Sequence, residues 1–429
     1  MALINPMSSQ CGKEEFQIFE LPPTQVEVLE STYQEIRPLT NPTGSQVIDF
    51  SVKSQGELYT SLSDIKLCIT ARICKADGAV YTAEQSAEYA PCNFFLGALI
   101  SKIDVYFSGR LASGASDLAG YNAYLQTLLS YGKATKKSQL GTSLWIEDAD
   151  KAENFKKRSE LSKQSRHMQL MGRLLVDVFT TNKLLLNGVN LDIRITRAKD
   201  NFCIDLTEAS NLAPKVEILD AYLLVKRVKP SSSVFTRHQQ ILQSTNAKYP
   251  YRRVVSKIVS IPQGSQSIHL DSLYTGTIPS RVIIGLIPHT SYVGNYKSPP
   301  FDFKHYDLNF LTLNVNSRQF PAKPLTPDFE NNRYSDAYMT LFRGLGIEDR
   351  DSGHGITLKE YKDNSCTLYA FDLTNDACGD ASHLNLLTTG ALRLEAKFAK
   401  PIPNNLIVFA YGEVESLFEI DGFRNLIME

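Results

Sequence analysis

The stretch Asp349–Glu360, "DRDSGHGITLKE", has the outline of a calcium loop. Asp349, Asp351 and Glu360 stand at positions one, three and twelve, where oxygen ligands belong, and Ile356 stands at eight. The pattern fails at its centre. Position five is Gly353, which offers no side-chain oxygen, and position six is His354, where the sharp turn calls for glycine. The flanks are not two amphipathic helices, so the stretch reads as an acidic surface loop rather than a metal site.

Other reactive residue types are equally scattered. The histidines are His167, His238, His269, His289, His305, His354 and His383, and no two share metal-ligand spacing. A cupin-type β-barrel enzyme would need an HxH cluster with a downstream Glu, and His269 and His289 stand alone. No GxxxxGK[ST], GxSxG or HExxH occurs. No catalytic, cofactor-binding or metal-ligating residue is therefore assigned, no cofactor is expected, and the chain reads as a non-enzyme. The run Lys156, Lys157, Arg158, Lys163, Arg166 could meet phosphate, but Glu153 and Glu160 interleave with it, and such mixed charge reads as a solvated face. With 45 basic against 46 acidic residues, the chain lacks the basic excess of a sequence-specific nucleic-acid binder. Near-neutral charge is instead compatible with large assemblies.

Compartment follows from cysteine usage. Cys11, Cys68, Cys74, Cys92, Cys203, Cys366 and Cys378 are odd in number, form no CxxC, and mostly sit in apolar runs such as "IKLCITARIC". They read as buried thiols in a reducing compartment. "MALINPMSSQ" has no charged segment followed by an apolar core, so no signal peptide is expected. Apolar runs such as "VIIGLI" fall far short of the roughly 20 residues that span a bilayer. A soluble protein made inside a cell is the expectation.

What the sequence does supply is strands. "SDIKLCITARI", "ISKIDVYF", "VNLDIRITR" and "VEILDAYLLV" alternate or run apolar and β-branched in the first half; "RRVVSKIVSI", "RVIIGLI", "LNFLTLNV", "ALRLEAKF" and "NLIVFAYGEV" do so in the second. Turn residues such as "ADG", "FSGR", "LNG" and "IPQG" bound them. Helical periodicity is confined to "SDLAGYNAYLQTLLSYG" and "YSDAYMTLFRGLG". Many short strands with few helices point to an all-β sandwich or barrel class.

The strands also repeat. "GSQVIDF" begins at Gly44 and "GSQSIHL" at Gly264; "LYT" recurs at Leu58 and Leu273. "VYFSGR" and "LNVNSR" end at Arg110 and Arg318, while "AYLQTLL" and "AYMTLF" carry Tyr124 and Tyr338. "LDIRI" and "LRLEA" start at Leu191 and Leu392, and "AYLLV" and "AYGEV" carry Tyr222 and Tyr411. The order is shared and the separation drifts, as insertions in loops would make it. One β-sandwich of about 200 residues used twice accounts for this. The division expected is an arm at 1–30, units at 31–230 and 251–429, the second with a short C-terminal tail, and a polar linker at 231–250. "KATKKSQLGTSLWIEDADKAENFKKRSELSKQSRH" in the first unit, and "NSRQFPAKPLTPDFENN" and "GIEDRDSGHGITLKEYKDN" in the second, read as long loops that serve a purpose or move. Arms at Met1–Glu20 and Asn425–Glu429 are expected to be held by neighbours.

Several blocks resemble the double jelly-roll major capsid proteins of Polinton/Maverick elements and adintoviruses. They are "LPPTQVEV" from Leu21, "LLSYG" from Leu128, "LLLNGVNLDIRITRAKDNFCI" from Leu184, "AKYPYRRVVSKI" from Ala247, "PPFDFKHYDLNFLTLNVNSRQFPAKPLTPDFENN" from Pro299, "LYAFDLT" from Leu368 and "FEIDGFRN" from Phe418. The resemblance implies two tandem eight-stranded jelly rolls with short helices in the loops. It further implies a homotrimeric, pseudo-hexameric capsomer that tiles an icosahedral virion shell beside neighbouring capsomers and a minor (penton) protein. It leaves any membrane contact open. One departure concerns the hairpin turns: Ser108-Gly109 is plausible, but Asn316-Ser317 lacks a glycine, which predicts a longer or different second turn. The alternative is a lectin-like β-sandwich, with tyrosines such as those in "GNYKSPPFDFKHYD" stacking on sugars; the other reading of those rings is packing under a loop or against a neighbour.

Overall fold

The computed structural model describes residues 7, 11–114, 117–146, 151–351, 353–379 and 383–428. Much of the expected arm (1–6 and 8–10), part of the charged excursion (147–150), and Ser352 of the acidic loop lie outside the described residues.

Among the described residues, sixteen of the strands build the two sandwiches. The first eight are β1 (Val28–Ile36), β2 (Val47–Val52), β3 (Lys66–Lys75), β4 (Ile100–Phe107), β5 (Arg110–Gly114), β6 (Met168–Arg173), β7 (Leu191–Arg197) and β8 (Pro214–Pro230). The second eight are β9 (Ala247–Ile261), β10 (Ser267–Thr277), β11 (Arg281–Pro288), β12 (Leu308–Val315), β13 (Arg318–Leu325), β14 (Leu368–Asp372), β15 (Thr389–Phe398) and β16 (Leu406–Ile420). In the first half, β8 joins β1 and β3, β6 pairs with β3, and the facing sheet runs β2-β7-β4-β5. In the second half the sheets run β9-β16-β11-β14 and β10-β15-β12-β13. Adding eight to each label of the first set gives the second. The fold is thus two jelly rolls in tandem, each a two-sheet antiparallel sandwich that keeps its strand ends within one body.

The repeated residues fall at equivalent places. Gly44 and Gly264 sit in the turns before β2 and β10 with φ of 74° and 83°, conformations that favour glycine. Leu191 pairs with Phe107, and Leu392 with Val315, each the last residue before a hairpin turn. Tyr222 pairs with Cys68, and Tyr411 with Ile283, each partner the third residue of its strand. One pair diverges. Tyr59 lies on a short strand (Tyr59–Ser61) that crosses to β8, whereas Tyr274 stays inside β10 opposite Leu392.

The second hairpin corrects an expectation. Ser108 and Gly109 have φ of 47° and 82°; Asn316 and Ser317 have 47° and 73°. Both are two-residue turns with both central residues left-handed, the geometry that fits strand twist. Asparagine tolerates this conformation, and here it is also anchored: Asn316 Nδ2 donates to the Thr389 carbonyl at 2.6 Å, and the Ala391 amide donates to Asn316 Oδ1 at 3.3 Å. Gly390 makes the room, since a Cβ there would meet Asn316 Oδ1 at 1.9 Å.

The two rolls bury different faces. Within the second roll Val282, Ile284, Leu286, Leu406, Val408 and Ala410 fill the space between its sheets. The alternate residues Ile283, Ile287, Ile407, Phe409 and Tyr411 join the apolar cluster of the first roll. Period-two geometry aims these sets at opposite faces, and burial of both explains why "VIIGLI" and "LIVFAY" run apolar without alternation. The stretch 231–250, expected as a linker, contains a helix, Ser232–Ile241, and its last four residues already belong to β9.

Candidate functional site

Among the described residues, a cluster of aromatic side chains lies where the rolls meet. Helix α1 (Ala119–Ser130), between β5 and β6, presents Tyr121 and Tyr124 to the second roll. Tyr121 is 2% exposed, lies 5.4 Å from both Phe409 and Phe301, and its hydroxyl donates to the Pro300 carbonyl at 2.8 Å. Burial pushes that hydroxyl well above its ordinary pKa, so it stays a donor. Tyr124 stacks on Phe301 at 4.2 Å and on Trp145 at 5.2 Å. The aromatics of "GNYKSPPFDFKHYD" are therefore spent largely on packing: Phe303 is fully buried and Tyr296 Oη donates to the Pro214 carbonyl at 2.9 Å.

Charged residues lock the same junction. Lys133 Nζ reaches Glu360 at 3.0 Å, and Lys151 Nζ reaches Asp302 at 3.5 Å and Ser365 Oγ at 2.9 Å. The long charged excursion is thus partly folded across the junction. Below it, Tyr249 Oη accepts from the Leu186 amide at 3.1 Å, and Arg424 Nε donates to the Asn187 carbonyl at 2.7 Å. The C-terminal tail corrects an expectation. Leu426–Met428 pairs with β16, Leu426 is 1% exposed, and its carbonyl accepts from Arg110 Nη1 at 2.7 Å, so the chain itself holds this end down.

The calcium-like residues are not brought together for a metal. Glu360 closes a capping box with Thr357 at the start of the helix Leu358–Asp363 and faces Lys133. Burial opposes its ionisation, but the Thr357 amide and Lys133 outweigh it and hold the carboxyl below its ordinary range. Asp349 and Asp351 are exposed. Among the described residues no three His, Cys, Asp or Glu side chains are grouped to hold a metal ion. His269 is exposed on β10, and His289 opens a short helix. Five cysteines are buried as free thiols; Cys11 and Cys378 are exposed. The basic run splits: Lys157 and Lys163 pair with Glu153 and Glu160 at the surface, while Arg158 is buried against Asp205 at 2.7 Å. A wholly solvated face was expected, so Arg158 is a correction. Its strand-side partners, Asp205 and the Pro91 carbonyl, come from distant segments that local charge pattern does not show.

His354 is the junction's acid-sensitive group. It is 1% exposed, and its Nδ1 accepts from the Ile356 amide at 3.0 Å. Burial, and then the nearby Lys136 ammonium, push it from 6.5 down to about 4. The unfolded chain binds this proton at higher pH than the folded one. The contribution to stability is full above pH 6.5 and is lost as pH falls towards 4. The loss amounts to about 3 kcal/mol. Burial raises Asp177 and Asp205, which gives the opposite slope, so the diagnostic quantity is the difference between the parent chain and His354→Asn. Urea denaturation across this window should show the variant losing less stability on acidification; identical pH dependence would show that His354 does not titrate on unfolding.

Outward surfaces differ in character. On the first roll's outer sheet face, Arg37 pairs with Glu35 and Asp220 and lies 5.1 Å over Tyr222, while Arg72 pairs with Glu217 at 2.6 Å. Before β1, the described arm from residue 11 is exposed throughout, Phe19 by 95% and Leu21 by 92%.

No protein-family model matches the chain. It is 24% identical over 390 residues to an uncharacterized Caenorhabditis elegans protein, F54H12.2, covering 89% of this chain and 93% of that one. Among solved structures it is similar to the Sputnik virophage structure, with TM-score 0.63, 11% identity, and coverage of 100% of this chain and 94% of that one. PBCV-1 VP54 gives TM-score 0.61 at 8% identity, covering 96% and 99%. The mavirus major capsid protein gives 0.57 at 11%, covering 100% and 95%. The chain has the double jelly-roll fold. Coverage near completeness on both sides means that both rolls, and their order, are common to these structures.

Proposed function

We propose that the protein is a major capsid protein whose trimers form pseudo-hexameric capsomers of an icosahedral virion shell. The observation that carries the reading is the matched pair of rolls, each with the same strand order and joined face to loops. Three such chains in a ring offer six similar outer faces, which hexagonal tiling needs, and rings of this kind close through heterologous contacts. The two-sided burial at the junction gives each chain the rigidity a tile requires. Its role is structural and not catalytic, its site of action the virion after synthesis inside the host cell. Its partners are identical chains, neighbouring capsomers and a minor protein at the fivefold positions. The resemblance noted in the sequence supports membership of the Polinton and adintovirus group.

Purified protein should sediment near 144 kDa (3 × 48.0) and give hexagonal outlines by negative-stain electron microscopy. A chain that stays monomeric under all assembly conditions while binding immobilised glycans would instead identify a lectin.

A further inference from the structure

The duplication supplies an internal comparison of how well each sandwich is filled. Leu67, the second residue of β3, pairs with Gly172 of β6; Val282, the second residue of β11, pairs with Phe371 of β14. Phe371 is 4% exposed and joins the apolar cluster between the second roll's sheets. At the equivalent place the first roll has no side chain. Leu96 and Ser143 occupy part of the room: a Cβ on Gly172 would lie 2.7 Å from Leu96 Cδ2 and 2.6 Å from Ser143 Oγ. Beside them lies a cavity of about 260 Å³.

Three layers wall this cavity. Leu67 and Gly172 come from β3 and β6, Ile100 and Ile103 from β4, and Ala119, Ala123 and Thr127 from successive turns of α1. The helix cannot move in to close the gap, because Tyr121 and Tyr124 are committed to the second roll. Interiors are otherwise close-packed, and atoms facing a void forfeit their dispersion contacts. An apolar void does not hold water, which needs polar partners, but takes up apolar molecules; one of about 150 Å³ takes up benzene. The polar residues gather on one side. Gln139, Thr142 and Arg173 line the cavity and are exposed, so they mark its mouth. Lys66 and Arg173 stand opposite each other across β3 and β6, and among the described residues no carboxylate lines the cavity. Lys66 leans over the Tyr33 ring at 5.2 Å, whereas Arg173 has no ion-pair partner among the described residues.

We infer that this cavity binds a free fatty acid, its aliphatic chain between α1, β3 and β4 and its carboxylate at the mouth against Arg173. An apolar bore with a cationic mouth complements that one molecule at both ends: the chain supplies the packing that Gly172 and Thr127 leave out, and the headgroup supplies the charge that Arg173 lacks. The site lies within one chain, so it stands apart from the capsomer reading. Because the ligand fills part of a folded core, it binds the native state alone and stabilises it by mass action.

Calorimetric titration of the full chain with sodium decanoate should give saturable binding of one molecule per chain and a rise in melting temperature. Arg173→Ala, at an exposed position, should fold like the parent, bind decanoate about tenfold more weakly and bind 1-decanol unchanged. Ala123→Leu puts a side chain into the cavity and should abolish binding of both. A second readout locates the ligand without relying on that variant. Trp145 is the only tryptophan of the chain and stands 5.5 Å from Phe94, which lines the cavity. Decanoate carrying bromine on its last carbon should therefore quench Trp145 fluorescence, and unlabelled decanoate should reverse the quenching. No saturable binding, no quenching in the parent, or full binding by a folded Ala123→Leu chain would overturn the site. Decanol binding the parent as tightly as decanoate, or Arg173→Ala leaving decanoate affinity unchanged, would overturn the assignment of a fatty acid.

Discussion

Tyr121→Ala should destabilise the folded chain by about 3–5 kcal/mol, as expected for truncating a large buried aromatic. The ring is 2% exposed and sits among Phe202, Tyr292, Phe301, Phe303 and Phe409, so the cavity left behind has aromatic walls on several sides and little freedom to collapse. Phe202 belongs to the first roll, and the others to the second, so the loss falls on the coupling between rolls rather than inside either sandwich. The second roll keeps its own separate apolar cluster. Urea unfolding of Tyr121→Ala should therefore separate into two transitions where the parent shows one, and limited proteolysis should begin to cut near residues 231–246 between the rolls. Tyr121→Phe isolates the hydroxyl: it keeps the packing but leaves the Pro300 carbonyl without this donor, costing about 1–3 kcal/mol. A single unshifted transition for Tyr121→Ala would show that the rolls are held together elsewhere, at the Lys133–Glu360 or Arg424–Asn187 contacts.

The sequence made the sandwiches readable because each strand writes its own evidence. Leu191, Ile193 and Ile195 are buried while Asp192 and Arg194 lie partly or fully outside, and that alternation is local. The duplication was readable for the same reason: Gly44 and Gly264, or Leu191 and Leu392, hold positions fixed by turn conformation and register, which tolerate little drift. Features that depend on what lies opposite were not legible. Nothing near "AGYNAYLQTLLS" says that its tyrosines face another domain instead of their own. "LYT" occurs twice, yet Tyr59 crosses to the second sheet of its roll and Tyr274 does not, because the first roll has the Leu184–Leu185 strand for its neighbour to pair with. The C-terminal tail looked free because its docking site is built by Arg110, over 300 residues earlier. Asn316-Ser317 looked wrong for a tight turn because the compensating contact comes from β15. In every case the local rule was sound and a long-range partner decided the outcome.

Arg158 is the sharpest instance and gives the second large effect. It lies in the helix Lys151–Leu161 between residues whose charges are solvated, yet its side chain is 8% exposed and Asp205, at 2.7 Å, is 9% exposed. The guanidinium also donates to the Pro91 carbonyl at 2.7 Å, bridging the short strand pair Tyr89–Pro91 and Ile204–Leu206. Burial pushes the Asp205 carboxyl up, against the pull of the guanidinium beside it, which is the signature of a pair whose desolvation cost rivals its attraction. Such a pair contributes little net stability, but removing one member strands the other. Arg158→Met should cost about 3–5 kcal/mol by urea denaturation at neutral pH. Adding Asp205→Leu should recover most of it, since two apolar side chains of similar volume then fill the site. The coupling in this double-mutant cycle separates two accounts of Arg158. If it is a buried ion pair, the double variant is far more stable than the sum of the single losses allows. If the guanidinium matters chiefly through Pro91, the losses add, because the carbonyl stays unsatisfied in both backgrounds. Lys157→Met, one position away with its charge in solvent against Glu153, should change stability by no more than about 0.5 kcal/mol, so the contrast between neighbours measures what burial does to one charge in the same run.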